Sequence, residues 1–177
     1  MSRSDAVRIR VATPADAEAI ARVHVDSWRA AYPGIVPQEQ IQQRSYERRL
    51  AQWVEWLRSD AEAALVAEVD ADVAGFSTLE TPGEWDRPGE AEIRAFYVAP
   101  SHWRRGVGRA LMAATLDRLR AAGATTAVLW VMRENEGARR FYEALGWHAD
   151  GTEGDWEGVA TVRYARHLAA QTSVTRA

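Results

Sequence analysis

Apolar and charged residues alternate over Val7 to Ala12, the period of a half-buried strand. Thr13-Pro14-Ala15-Asp16 then reads as a helix start: Thr13 caps, Pro14 suits the first turn, and Asp16 completes a capping-box-like arrangement. Ala17, Ile20, Ala21, His24, Trp28 and Ala31 recur at helical spacing and form one face, ending at Pro33-Gly34. A second helical stretch is expected from Gln38 to Leu57. Ala64–Val69 and Val73–Leu79 read as strands joined by Asp70-Ala71-Asp72, and Thr81–Gly89 as a loop rich in proline, glycine and acidic groups. Further on, the pattern predicts a strand at Ala91–Val98, a glycine-rich turn, and a helix to Ala122 closed by Gly123. A buried strand at Thr125–Met132, a short helix at Glu136–Leu145 stopped by Gly146, and strands at Trp147–Thr152 and Val159–His167 complete the series. Periodicity by itself gives an α+β domain built on one sheet.

The junction after Val98 carries the most chemical information. Trp103-Arg104-Arg105-Gly106-Val107-Gly108-Arg109 leads from a strand into a helix, so its backbone N–H groups converge at the positive end of a helix dipole. Such a turn is an anion site, with a diphosphate as its usual occupant. A dinucleotide fingerprint fails because its third glycine position is Leu111, and no Gly-x-x-x-x-Gly-Lys-Ser/Thr string exists for a nucleotide P-loop. On its own, Gly-x-Gly reads equally well as a tight turn with solvated arginines.

A second string lies downstream, Asn135-Glu136-Gly137-Ala138-Arg139-Arg140-Phe141-Tyr142-Glu143-Ala144-Leu145-Gly146-Trp147. Taken with the loop, it resembles the GNAT superfamily of acetyl-CoA-dependent N-acetyltransferases. That family's loop reads Arg/Gln-x-x-Gly-x-Gly/Ala, and its later motif reads Asn-x-x-Ala-x-x-Phe-Tyr-x-x-x-Gly-Phe/Trp. The resemblance is strong over Glu90–Trp147 and looser elsewhere. It implies a mixed α/β fold, a mostly antiparallel central sheet of about seven strands flanked by about four helices. It departs from the family at Trp103, which stands where the motif has Arg or Gln, so the loop is expected to bind chiefly through backbone amides.

The resemblance also implies roles. Arg104, Arg105, Gly106, Gly108 and Arg109 would cradle the diphosphate of coenzyme A. The backbone of Phe96, Tyr97 and Val98 would pair with the pantetheine arm like an added strand, and could set an N–H against the thioester oxygen. Asn135, a good helix cap for the run from Glu136, would also bond that arm. Tyr142 matches the family's general acid for the leaving thiolate, with a core tyrosine as the plainer reading. Glu92 sits where histone-acetyltransferase-like members place a catalytic carboxylate; a salt-bridged strand residue is the alternative. Regular alternation would place Glu92, Arg94, Phe96 and Val98 on one face. Trp28 and Tyr32, with Glu84, Trp85 and Asp86, could receive a cationic amine, or could simply be packing and a solvated loop.

Composition narrows the alternatives. The chain has 177 residues, 47% hydrophobic and 27% charged, enough for one domain expected over residues 1–168 with a tail at 169–177. A net charge of −3 offers no general attraction for nucleic acid. With no cysteine, a cysteine-acyl route is closed, and the four histidines lack ligand spacing, so no metal is expected. Residues 1–10 have no apolar core of a leader and no 18-residue apolar run occurs, so the expectation is a cytoplasmic protein that does not engage membranes. The expected activity is acetyl transfer to a small-molecule or peptide amine in a ternary complex. A longer acyl donor, or a non-catalytic acyl-CoA sensor of the same fold, remains open, and edge strands allow a homodimer.

Overall fold

The computed structural model of the chain describes residues 6–82 and 87–168. Seven strands and five helices follow in chain order: β1 Arg8–Val11, α1 Ala17–Ala31, α2 Gln38–Gln42, α3 Tyr46–Asp60, β2 Ala64–Val69, β3 Asp72–Glu80, β4 Glu90–Val98, α4 Val107–Ala121, β5 Thr126–Met132, α5 Glu136–Glu143, β6 His148–Trp156 and β7 Val159–His167. The strands form one sheet in the order β1-β2-β3-β4-β5-β7-β6. Every neighbouring pair is antiparallel except β4 and β5.

Two elements differ most from the sequence pattern. The helix expected over Gln38–Leu57 is two helices, because Ser45 accepts from the Arg48 N–H at 3.2 Å and caps a new start. That break adds a fifth helix. The strand expected to end at Thr152 runs on to Trp156, with a register shift between Ala149 and Glu153. Glu84, Trp85 and Asp86, and the tail 169–177, lie outside the described residues.

Helices cover both faces of the sheet. On one face Leu111, Met112, Leu116 and Leu119 of α4, all at most 2% exposed, pack over the inward residues of β3 to β5 such as Ile93 and Leu129. Burial of each such side chain is worth about 2 kcal/mol. On the other face Ile20 and Ala21 of α1 and Trp53 and Leu57 of α3 close over Val66 and Phe76. The predicted stripe on α1 is buried from Ala17 to Trp28. Its start is pinned by the Arg10 guanidinium, which bonds both oxygens of Asp16 at 2.8 and 2.7 Å and Glu68 Oε1 at 2.8 Å. Asp16 also accepts from the Thr13 N–H at 2.7 Å, so one carboxylate joins β1, the helix cap and, through Arg10, β2.

His24 is part of this packing. Its Nδ1 accepts from Trp53 Nε1 at 3.2 Å, and its ring stacks on Tyr97 with centroids 4.7 Å apart. Burial, with Arg49 and Arg44 nearby, pushes the imidazole down to about 3. Unfolded, it titrates near about 6.5. Between those values the unfolded chain binds the extra proton, so the stability tied to neutral His24 is complete above about 6.5 and is lost as pH falls toward about 3. NMR of the His24 ring should therefore show no titration from pH 8 to about 5. Folded-state protonation near pH 6.5 would contradict this.

Candidate active site

Strands β4 and β5 pair only from Glu90–Glu92 to Thr126–Val128. Beyond that, β4 stays with β3 and β5 stays with β7, so the two parallel strands part. A bulge accompanies the parting. Thr78 faces Ala95 and Leu79 faces Ile93, which leaves the Arg94 backbone without a register partner on β3.

The bulge changes which residues share a face. Ala91 and Ile93 pack beneath α4 and α5, and Phe96 and Val98 pack on that side too. Ala95 and Tyr97 pack on the α1–α3 side. Glu92, which alternates with Ala91 and Ile93, therefore faces α1 and α3, opposite to Phe96 and Val98. Regular alternation had placed all of them together, and the extra residue at Arg94 breaks it.

Backbone direction follows from one bond. The Ala99 N–H donates to the Ala74 carbonyl at 2.8 Å, and antiparallel pairs alternate, so Ala95 and Tyr97 also turn their backbone groups to β3. Phe96 and Val98 turn theirs into the gap. Tyr97 therefore does not offer its backbone to a ligand in the gap, contrary to the expectation for a three-residue edge. The Val98 carbonyl is already engaged: Ser27 Oγ donates to it at 3.0 Å and Trp103 Nε1 at 2.7 Å. Trp103 thus closes the end of the strand, its ring 43% exposed.

At the mouth of the gap the chain turns through Pro100–His102 into α4. Arg104 has φ +59° and Gly106 has φ +86°, where Gly106 caps the helix. The first helical bond runs from the Ala110 N–H to the Gly106 carbonyl at 3.0 Å, leaving the N–H groups of Val107, Gly108 and Arg109 without intrahelical acceptors. A Cβ on Gly108 would stand 3.2 Å from the Phe141 ring, so glycine lets α5 close against the start of α4. The Arg109 side chain lines a separate cavity of about 370 Å³ between α4 and α5, with Arg120 and Arg166.

Deeper in, aromatic hydroxyls converge. Trp28 Nε1 donates to the Tyr97 hydroxyl at 3.0 Å, and the Tyr97 and Tyr32 hydroxyls interact. Asn135 caps α5 by accepting from the Ala138 N–H at 3.1 Å, and its side chain also meets the Tyr32 hydroxyl. Tyr142 packs edge-on to Phe96, Phe141 and Trp147. Burial, and Tyr97 beside it, push its phenol well above the usual value, so it keeps its proton. Its hydroxyl has no hydrogen-bond partner among the described residues. Tyr32 and Tyr97 are also raised, first by burial.

The Trp28 face expected to receive a substrate cation is occupied by the chain itself. Arg44 lies over Trp28 at 4.1 Å and over Trp156 at 4.6 Å, and it reaches Glu157 at 3.4 Å. Trp85, the third expected acceptor residue, lies outside the described residues. Arg44 and Trp156 were missed because no local pattern joins them; the one available signal was Ser45, a capping residue inside an apparently continuous helix. Glu92 sits apart from the tyrosines, among Arg94, Glu80, Glu90 and Arg163, and burial raises its carboxyl above the ordinary range. Among the described residues no helix is long and apolar enough to cross a membrane, and no cluster of three or more His, Cys, Asp or Glu is placed to hold a metal ion.

The chain is similar to known proteins. The profile of the acetyltransferase (GNAT) family matches residues 20–147. An uncharacterised N-acetyltransferase of Bacillus subtilis, YuaI, is 30% identical over 138 residues, 78% of each chain. One of Archaeoglobus fulgidus is 31% identical over 143 residues, 77% of this chain and 89% of its own. A mycothiol acetyltransferase of Brachybacterium faecium is 36% identical over 140 residues, 78% of this chain but 39% of that protein. Among solved structures, the PaiA N-acetyltransferase of Thermoplasma acidophilum in complex with coenzyme A superposes with a TM-score of 0.74 at 23% identity, covering 92% of this chain and 99% of that one. The loop before α4, the gap between β4 and β5 and Tyr142 fall inside the matched segment, and the chain belongs to the acetyltransferase (GNAT) family.

Proposed function

We propose that this acyltransferase moves an acetyl group from acetyl-CoA to an amine by direct attack, with both bound together. The observation that carries the reading is the gap between β4 and β5. It has the strand-edge groups of Phe96 and the N–H of Val98 turned into it, unpaired N–H groups at the start of α4, and Tyr142 along its wall. These fit a diphosphate joined to a chain of amides. A glycine at 108, where any Cβ would press on Phe141, keeps the loop close to α5 and fits the same ligand.

When bound, acetyl-CoA supplies the activated thioester and a thiol leaving group. The loop from Arg104 to Arg109 holds the diphosphate end, through amides first and the charge of Arg104 and Arg105 second, with Arg109 contributing its backbone N–H. The Phe96 N–H, turned into the gap, serves as a donor to the acyl oxygen as negative charge develops there. Asn135, fixed by its bond to Ala138, orients the amide arm. Tyr142 holds a proton at its hydroxyl for the departing sulfur. Phenol and thiol values near about 10 and 8.5 make full transfer uphill by about 2 kcal/mol, and burial of Tyr142 increases that, so a hydrogen bond that strengthens as charge grows on sulfur describes its role. Glu92 accepts the proton of the amine. Its raised carboxyl value makes it a stronger base than an exposed glutamate.

Two kinetic outcomes follow. Tyr142→Phe should lower kcat by about 10²-fold or more while the Kd for acetyl-CoA from calorimetry changes little; unchanged turnover removes the role. Glu92→Gln should abolish the acidic limb of the kcat/KM pH profile, since that limb reports loss of the Glu92 proton. Retention of the wild-type limb assigns the base elsewhere.

A further inference from the structure

The acceptor end of the site carries an excess of positive charge. Arg49, in α3, is half-buried. Among the described residues its side chain bonds only Gln52 Oε1, at 2.9 Å, and no carboxylate lies within ion-pair distance. Arg44, in the turn between α2 and α3, is its neighbour, its side chain 12% exposed, with one carboxylate, Glu157, at 3.4 Å. That carboxylate is itself 57% exposed. The Arg44 Nε is buried without a partner. Both guanidiniums stand near enough to the Tyr97 hydroxyl to lower its value, and Arg49 is itself lowered by burial and by Arg44. Two partly desolvated cations sharing one outlying anion are unfavourable until another anion joins them.

Space for that anion exists. Arg49 lines a cavity of about 430 Å³ between α3 and the sheet, walled by Trp53 and Trp56 and floored by Thr78 and Glu80. Glu80 is engaged by Arg94 across the floor. Asp60, the other carboxylate of the cavity, stands eleven residues along α3 from Arg49, about 16 Å away. Neither neutralises Arg49. Glu80 pairs with Glu92 in the sheet, so the proposed base borders the same floor.

We infer that Arg49 anchors an anionic group of the acceptor, and that the acceptor is a small amine carrying a carboxylate, such as an amino acid. The inference rests on the acetyltransferase reading above. The amine meets Glu92 at one side of the cavity while the carboxylate reaches the Arg49 fork, which suits planar bidentate binding. A cavity of this volume takes a free amino acid and not a folded partner.

Thiol release from acetyl-CoA tests this with two matched panels, L-amino acids and their α-carboxamides. The amides have the more easily deprotonated amines, so chemistry alone favours them. The expected result is a kcat/KM about tenfold or more higher for the acids. Arg49→Gln should raise KM for the acids by about tenfold or more, leave KM for acetyl-CoA unchanged, and erase the preference. Arg49→Lys should restore part of it. Equal use of acids and amides, or a parallel fall of both panels in Arg49→Gln, overturns the inference alone. Should Arg49→Gln not fold, the wild-type ratio decides by itself. If calorimetry shows acetyl-CoA bound and no amine of either panel releases thiol, the acetyltransferase reading fails, and the inference with it.

Discussion

The parting of β4 from β5 is the constraint on which the rest of the site depends. Two parallel strands that remained paired to their ends would leave no backbone group free in the middle of the sheet, since buried N–H and carbonyl groups are almost always satisfied. Here each strand keeps its antiparallel neighbour and gives up the parallel one. The sheet stays intact on both sides, and an open edge appears inside the domain. The helices of one face border that opening: α4 points its start at the mouth, and α5 lays Phe141 and Tyr142 along the wall.

The two ends of the gap are built by different physics. The mouth is a backbone device, held by left-handed Arg104 and Gly106 and by the indole of Trp103 on the Val98 carbonyl. An arginine in the left-handed region is strained by about 1 kcal/mol or more, which the surrounding loop must offset. The inner end is a side-chain device. Trp28, Tyr32, Tyr97 and Asn135 form a chain of contacts in which few groups are charged, while Arg44 and Arg49 border it with charge that nothing nearby fully balances.

What could be read from the sequence depended on how far apart the cooperating residues are. The Trp103–Arg109 loop and the Asn135–Trp147 motif are contiguous strings, and the seven strands and the stripe on α1 are set by local period. Asn135 as a cap needed only the helix that follows it. The bulge was not legible, because it depends on the register of β3 against β4, and no residue near Arg94 signals an extra position. The same holds for the contact of Arg44 with Glu157, 113 positions apart. Tyr97 was read for its backbone, whereas the fold turns that backbone to β3 and uses its hydroxyl.

The unpaired position at Arg94 has a further consequence for how such a domain can change. Counting along β4, Glu92 and Ala95 lie on the same face whether or not a residue stands between them with its side chain outside the ladder. Loss of that one codon would leave every other side chain of the strand on its present face and the core undisturbed. The bend that helps β4 leave β5 would go, and with it the exposed pairing of Arg94 with Glu80. The opening of the sheet is thus separable from the packing that stabilises it, so a lineage could close or reopen the cleft by a single insertion or deletion without rebuilding the interior.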